Sequence, residues 1–340
     1  MQVPSEWEAA LEAALARRGV CLVLGPVDVG KSSFCGLLAQ RAARAGVRAA
    51  VVDGDTGQQD LGPPACVGWA WADPQASRLE ALALAGLYFV GATSPLGHLL
   101  ELVAGMATLV AQGHRQGAEL VVADTTGLVS GPGLGLKWAK VSALRPQTVV
   151  ALQQQWELEP VLAPYRTREL PQVIRLRPSP QAQARSALAR TARREQMFAR
   201  YFQQAREQAL PWQQVAVEGL PLFVGRTLPA GDRERLEQAL GSPVLHAEQG
   251  PAGALAIAAE APRYELGEWR VVESRHFDRA LVGLVDGAGV TVGAGILRGW
   301  PAEGGRFQVV TPAPVAQVRT LKLGFMRVDP SGRELGTVRW

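Results

Sequence analysis

A strand, a glycine-rich loop and a helix follow one another near the start of the chain, and this unit constrains the fold more than any other feature. The segment Val20–Leu24 is apolar and rich in residues that favour strands. The next eight residues, Gly25-Pro-Val-Asp-Val-Gly-Lys-Ser32, match the phosphate-loop pattern G-x-x-x-x-G-K-[ST]. A helix-compatible segment, 32–45, comes directly after them. The motif therefore stands in the setting that a phosphate loop requires, and it predicts nucleotide binding.

The residues of this loop are the predicted nucleotide-binding set. Its glycines let backbone N–H groups turn toward phosphate oxygens, and the N-terminus of the next helix adds a partial positive charge. Lys31 is predicted to reach the β- and γ-phosphates, and the Ser32 hydroxyl to ligate Mg²⁺. The full predicted set is Gly25, Pro26, Val27, Asp28, Val29, Gly30, Lys31, Ser32 and Ser33.

Apolar strands alternate with helical segments through the first part of the chain. This alternation predicts an α/β fold of the P-loop NTPase type, a parallel sheet with helices on both faces. The predicted strands after the loop include Val47–Asp53, Leu87–Val90, Glu119–Ala123, Thr148–Leu152 and Gln172–Leu176. The spacing Ser5-x-x-Glu8 predicts a capping box at the start of an N-terminal helix.

A change of texture from about Val215 marks a second region, where short strands alternate with Gly/Pro turns. We expect an N-terminal helix in 1–19, a P-loop domain in 20–214 and a small, mainly β domain in 215–340. A helix over about residues 232–240 is predicted within this last domain.

Carboxylates follow two of the predicted strands at the edge where the phosphate loop lies. Asp53 ends one strand, Asp55 lies just beyond it, and Asp124 ends a strand of the Walker B type. A carboxylate there can hold Mg²⁺ or accept a proton from an attacking hydroxyl. Asp55 is the preferred base because it lies just beyond its strand. Turn formation alone would also explain the Asp-Gly-Asp-Thr-Gly segment, and the sequence leaves open which of the three carboxylates holds the metal.

An arginine-rich segment at about 180–202 is a candidate lid over the triphosphate. Arg190 and Arg194 are four residues apart, so a helix places both guanidinium groups on one face. A solvated helix face is the competing interpretation. Thr126 and Gly127, which follow Asp124, are candidates to sense the γ-phosphate or the substrate, or else they form a structural turn.

Composition narrows the partners and the compartment. The formal net charge is only +4, so any nucleic-acid surface must be a local patch. Cys21, Cys35 and Cys66 lack the spacing of metal ligands and are predicted to be buried thiols. Neither a signal peptide nor a stretch of about 20 apolar residues is present, and we expect a cytoplasmic protein without a membrane partner.

Taken in order, the motifs resemble those of the polynucleotide 5′-hydroxyl kinases, the family that includes the kinase subunit of the pre-mRNA cleavage complex. The matching segments are the phosphate loop, Asp53-Gly-Asp-Thr-Gly-Gln58, Phe89-Val-Gly-Ala-Thr-Ser-Pro95, Thr125-Thr-Gly-Leu-Val-Ser-Gly131 and the arginines up to Tyr201-Phe202. The shorter archaeal members look most similar, and the resemblance covers nearly the whole chain.

The resemblance implies transfer of the ATP γ-phosphate to the 5′-hydroxyl end of RNA, and often DNA, with Mg²⁺. It implies catalytic roles for Lys31, Asp55, Arg190 and Arg194, with Ser32 and Asp55 at the metal. The substrate contacts that it implies are Gln58, Thr93, Ser94, Thr126, Gly127 and Arg185.

Two departures from the family pattern keep alternatives open. Leu128 replaces a tryptophan that many members place after the Thr-x-Gly motif for base stacking, and only a short helix precedes the phosphate loop, so adenine recognition is not predicted. A non-catalytic ATP-binding scaffold is therefore the second hypothesis. A GTPase or metal-insertion chaperone is the third, weakened by the lack of an Asn-Lys-x-Asp motif and of a His/Cys cluster. Protein partners are not predicted.

Overall fold

The computed structural model describes residues 3–251, 253–262, 267–301 and 305–340. The chain forms two compact units, Met1–Met197 and Phe198–Trp340. No helix within these described ranges has the length and apolar character needed to cross a membrane. Cys21, Cys35 and Cys66 are buried and form no disulfide, which confirms the prediction of buried thiols.

The elements of the first unit alternate as predicted. Its strands are β1 Gly19–Leu24, β2 Ala49–Gly54, β3 Cys66–Trp71, β4 Leu84–Phe89, β5 Leu120–Thr125, β6 Thr148–Leu152 and β7 Gln172–Leu176. Its helices are α1 Ser5–Arg17, α2 Lys31–Arg44, α3 Leu99–Arg115, α4 Pro132–Leu144 and the short α5 Glu159–Leu162, and α6 Ala187–Phe202 begins in this unit.

The strands of the first unit lie in the order β4-β3-β2-β5-β1-β6-β7. The five from β2 to β7 are parallel, which confirms the predicted P-loop architecture. The sheet departs from the predicted parallel arrangement at one edge, where β3 runs antiparallel to both β2 and β4. Only residues 55–65 join β2 to β3, and a parallel return needs a longer crossover, usually with a helix.

Helices cover both faces of this sheet, as the sequence predicts. On one face α1 and α2 bury Leu11, Phe34 and Leu38 against alternate strand residues. On the other, α3 and α4 bury Met106 and Leu136 against the remaining strand residues. Since the central strands are apolar on both sides, they require this double cover.

Helix α1 begins differently from the prediction. Pro4 is the N-cap residue and no side chain caps the helix, so the predicted Ser5/Glu8 capping box is wrong. Ser5 is already helical, and Glu8 instead forms an ion pair with Arg41 of α2 at 2.6 Å. The pairing joins two helices that lie on the same face of the sheet.

Trp7 of α1 supports the phosphate loop from behind. Its side chain is 1% exposed, and its indole Nε1 donates a hydrogen bond to the Arg177 carbonyl at 3.0 Å. The ring packs edge-on against Phe34 of α2, with 5.4 Å between centroids, and lies beside Gly30. The N-terminal helix is therefore part of the packing around the loop.

The second unit is mainly β, as predicted. Its strands are β8 Arg206–Pro211, β9 Ala216–Glu218, β10 Arg226–Thr227, β11 Val244–Gly250, β12 Gly253–Ala258, β13 Trp269–Glu273, β14 Asp278–Asp286, β15 Thr291–Arg298, β16 Arg306–Thr311, β17 Val318–Val328 and β18 Glu334–Thr337. Its helix α7, Ala230–Leu240, coincides with the predicted helix. Apolar residues of β14, β15, β16 and β17 form its main core.

We expect Trp7→Ala to lower the free energy of unfolding by about 3–5 kcal/mol, because it empties a buried aromatic site and removes the bond to the Arg177 carbonyl. Urea unfolding followed by circular dichroism measures the change. Trp156→Ala is the matched control, since Trp156 is 75% exposed. Equal losses from the two substitutions would contradict the supporting role of Trp7.

Candidate functional site

The phosphate loop joins β1 to α2 in the conformation that its glycines allow. Gly30 is the N-cap residue of α2 with φ 93°, a value that favours glycine, and no side chain caps this helix. Lys31 is 7% exposed, and its Nζ donates to the Pro26 carbonyl at 2.6 Å. The loop therefore presents a helix N-terminus and a lysine beside a cleft of about 530 Å³, a combination that suits bound phosphate.

A hydroxyl and a carboxylate meet beneath the loop. The Ser32 hydroxyl donates to Asp124 Oδ2 at 2.5 Å. Asp124 is the penultimate residue of β5, the strand next to β1, and its side chain is buried. Burial raises the pKa of Asp124 to about 6, and the positive charge of Lys31 opposes part of this rise. Paired oxygens of this kind suit Mg²⁺, which binds one or two protein carboxylates and retains several waters.

Both carboxylate oxygens of Asp53 accept hydrogen bonds from the backbone of the loop that follows β2. Its Oδ1 accepts the Asp55 N–H at 3.0 Å, and its Oδ2 accepts the Asp60 N–H at 2.7 Å. Burial raises the pKa of Asp53 well above its usual range, and the charges of Asp124 and Asp60 raise it further. Asp53 therefore shapes the loop that follows β2.

Asp55 lines the cleft together with Lys31 and Ser32. Its Oδ1 accepts the N–H groups of Gly57 and Gln58, both at 3.1 Å. Within the described residues no hydrogen bond is recorded for its second carboxylate oxygen. The segment therefore forms the turn that the sequence allows and also places one carboxylate oxygen where it can accept a proton.

The lid segment contacts the phosphate loop through Asp28. The backbone N–H of Arg185 donates to Asp28 Oδ2 at 2.9 Å, and the Arg190 guanidinium lies 3.5 Å from the same oxygen. Arg190 also donates to the Arg185 carbonyl at 2.6 Å, and the Gln58 side chain donates to the Arg190 carbonyl at 3.4 Å. The predicted residues Asp28, Gln58, Arg185 and Arg190 therefore line one cleft.

Arg193 lies in this cleft, whereas Arg194 is not among its lining residues. Arg193 forms ion pairs with Asp60 and, at 3.0 Å, with Glu80. Arg194 donates to Thr191 Oγ1 of its own helix at 2.9 Å. Arg193 was not among the predicted site residues, although its spacing of three from Arg190 puts both on one side of α6.

The predicted substrate contacts at the ends of β4 and β5 lie outside the wall of the cleft. The Thr93 carbonyl accepts the Thr56 hydroxyl at 3.4 Å, and the Ser94 hydroxyl accepts the Leu96 N–H at 3.2 Å. Thr126 is buried. A Cβ at Gly127 would lie 2.6 Å from the Val27 backbone nitrogen, so this position needs glycine for the β5 loop to pack against the phosphate loop.

Two fully buried lysines of α4 were missed by the sequence analysis. Lys137 Nζ donates to the Thr125 hydroxyl at 3.0 Å and to the Thr126 carbonyl, which holds the loop after β5. Lys140 Nζ has no hydrogen-bond partner among the described residues, and burial lowers its pKa to about 8. The available signal was their spacing of three in a chain with only two other lysines, Lys31 and Lys322.

Comparison with known proteins gives a family match. The model of the mRNA cleavage and polyadenylation factor CLP1 P-loop matches residues 25–204. A polyribonucleotide 5′-hydroxyl-kinase of Pyrococcus furiosus is 30% identical, with 98% of this chain and 95% of the relative aligned. One of Thermococcus kodakarensis is 31% identical over 94% and 90% of the two chains.

A solved structure shares the fold. The Clp1p chain of a wild-type Clp1p–Pcf11p complex superimposes with a TM-score of 0.64, at 11% identity, over 94% of this chain and 78% of that one. At this identity the similarity concerns the fold alone.

We expect Asp124→Asn to raise the free energy of unfolding at pH 7.5 by up to about 3 kcal/mol, since it removes a buried charge, keeps an oxygen for the Thr125 N–H and lets the amide nitrogen donate to the Ser32 hydroxyl oxygen. Below about pH 4 the Asp124 carboxyl group is protonated in both the folded and the unfolded wild-type protein. Between about pH 4 and 6 it is protonated only in the folded state, so wild-type stability falls as pH rises and the gap to the variant grows.

Urea unfolding from pH 4 to 8, without nucleotide or Mg²⁺, measures this gap. Glu169→Gln, at an exposed carboxylate, is the control and should leave stability unchanged. A gap that stays constant across the range would contradict the raised pKa of Asp124.

Proposed function

The chain belongs to the family of the mRNA cleavage and polyadenylation factor CLP1 P-loop, and from this premise we propose that it is a polynucleotide 5′-hydroxyl kinase. It transfers the γ-phosphate of ATP to the 5′-hydroxyl end of RNA or DNA. One observation carries the proposal: Lys31, Asp55 and Arg190 line the same cleft. A phosphate-binding lysine, a candidate base and a lid arginine together meet the needs of phosphoryl transfer.

Each residue of the cleft has a different proposed role in the reaction. Asp55 has a carboxylate oxygen that can take the proton of the attacking 5′-hydroxyl while its other oxygen anchors the turn. Lys31 and the α2 N-terminus hold the transferring phosphates, and Arg190 stabilises the charge that develops on them. Because the transition state is loose, positioning and charge supply most of the catalysis.

Mg²⁺ is the proposed cofactor, and when bound it would neutralise charge on the β- and γ-phosphates. Ser32 would hold it together with a carboxylate. The 2.5 Å contact of Ser32 with Asp124 favours Asp124 as the direct ligand. Asp55, the predicted metal carboxylate, then acts through water and keeps its proposed role as base. The described residues contain no cluster of three or more His, Cys, Asp or Glu side chains, which agrees with a metal held largely by phosphates and water.

Leu128 follows the Thr126-Gly127 pair and presents no aromatic ring on which a base could stack. The side chain is partly buried against the core next to α3 and α4. Stacking on a base contributes about 1–3 kcal/mol in single-strand binding, and leucine does not provide it. The loop held by Lys137, together with Thr93 and Ser94, is the proposed clasp for the terminal nucleotides.

We expect label from γ-labelled ATP on 5′-hydroxyl RNA or DNA oligonucleotides. Lys31→Ala should lower kcat by at least about 10²–10³-fold, since one major charge on the phosphates is lost, and Asp55→Asn by about 10²–10⁴-fold through loss of the base. Circular dichroism should show an unchanged fold. A folded wild-type protein that binds ATP but labels neither RNA nor DNA would support the scaffold hypothesis instead.

Arg190→Ala and Arg194→Ala should lower kcat more than they weaken oligonucleotide binding, because the lid is proposed to act in the transition state. Kinase kinetics and fluorescence anisotropy on one oligonucleotide separate the two effects. Arg200→Ala, at an exposed arginine further along α6, is the control. Equal changes in turnover and affinity would make these arginines simple phosphate contacts, and an effect of Arg190→Ala alone would contradict the role proposed for Arg194.

A further inference from the structure

The edge of the parallel sheet opposite the phosphate loop is rich in exposed arginines. In the first unit, at least one exposed arginine lies in the connection that enters each of the five parallel strands or ends the helix before it. These arginines are Arg17 and Arg18 before β1, Arg48 before β2, Arg115 before β5, Arg145 before β6, and Arg166 and Arg168 before β7. We call this set the arginine edge.

Few carboxylates neutralise this edge. Glu119 pairs with Arg18, and Glu159 pairs with Arg166 at 3.0 Å. Glu169 is the other acidic side chain in these connections. Arg17, Arg115 and Arg145 belong to none of the ion pairs found among the described residues, and Arg168 lies over the Tyr165 ring at 5.2 Å. The edge therefore keeps a net positive charge.

Sheet order turns these separate connections into a row. The strands lie in the order β2-β5-β1-β6-β7, so their entry loops succeed one another along one edge. Neighbouring strands are about 4.8 Å apart, which makes the row roughly 19 Å long. At the β7 end it borders a cavity of about 410 Å³ lined by Arg17, Arg166, Arg168 and Arg175, with Glu169 also in the wall.

We propose that the arginine edge binds the phosphate backbone of a polynucleotide, at a site separate from the kinase cleft. A planar guanidinium forms paired hydrogen bonds with phosphate oxygens, and a row of them matches a linear array of phosphates. The inference rests on the proposed function in one respect: the bound strand is taken to be a kinase substrate, with its 5′ end in the cleft and its later nucleotides at the arginine edge.

Strand length separates this site from the cleft. Six-residue strands span about 20 Å, and helices cover both faces of the sheet, so a polynucleotide must follow a longer path over the surface to reach from one edge to the other. A four-nucleotide substrate can occupy the cleft only. A 20-nucleotide substrate can contact both sites.

The test compares R17Q/R145Q/R168Q with a control, R226Q/R233Q/R339Q, at exposed arginines of the second unit. Anisotropy of a labelled 20-nucleotide 5′-hydroxyl RNA, without ATP, is followed from 0.05 to 0.5 M salt (about one decade). Loss of three single-strand phosphate contacts should lower the slope of log Kd against log salt by about 2 and raise Kd at 0.1 M salt about 10- to 100-fold. The control should retain the wild-type slope.

Kinase assays on both substrates complete the test. The arginine-edge variant should keep wild-type kcat/KM on a four-nucleotide RNA and show a raised KM on the 20-nucleotide RNA. An unchanged slope, an equal loss in the control variant, or an equal loss on the four-nucleotide RNA would overturn the proposal. The anisotropy measurement does not depend on phosphate transfer. If the protein transferred no phosphate but only the arginine-edge variant showed the lower slope, the proposed kinase activity would be refuted and the proposed binding site would stand.

Discussion

The parallel pairing of β1 with β5 is the constraint on which the candidate site depends. It brings the residue after the phosphate-loop lysine, Ser32, to Asp124, which is 92 positions away in sequence, and their hydrogen bond joins the first turn of α2 to β5. Since parallel neighbours end at the same edge, β2 on the far side of β5 delivers Asp53 and Asp55 to that edge as well. The chemistry of the cleft therefore follows from the order of three strands.

The three strands bring together ionisable groups whose charged forms are destabilised by burial. Asp53 and Asp124 have raised pKa values and Lys137 a lowered one, in each case with burial as the largest cause. Burial of these groups lowers the free energy of unfolding, and the apolar cores on the two faces of the sheet must compensate for that loss. The benefit of the arrangement is a set of charges held in place before a phosphate arrives, so little reorganisation is needed during transfer.

The lid is connected to the same edge through carboxylates. Asp28 in the phosphate loop accepts a hydrogen bond from the Arg185 backbone N–H and forms an ion pair with Arg190. Asp60 and Glu80 form ion pairs with Arg193. A triphosphate would compete with Asp28 for the same guanidinium group, because both are anions beside the loop. The lid contacts are thus of a kind that a bound nucleotide can replace. Asp53, whose side chain orders the Asp55 and Asp60 backbone, links this network to the sheet.

Local pattern determined the elements and the loop chemistry of this protein. The motif at Gly25–Ser32, the strand Thr148–Leu152 and the helix near Asp232 could be predicted because spacing, apolar runs and glycines act within a few residues. The antiparallel course of β3, the burial of Lys137 and Lys140 and the place of Arg193 in the cleft could not. Each depends on which distant strand or helix becomes a neighbour. The tertiary structure alone decided that order, and with it the contact of Ser32 with Asp124, because a pairing between remote segments leaves no mark in the spacing of either one.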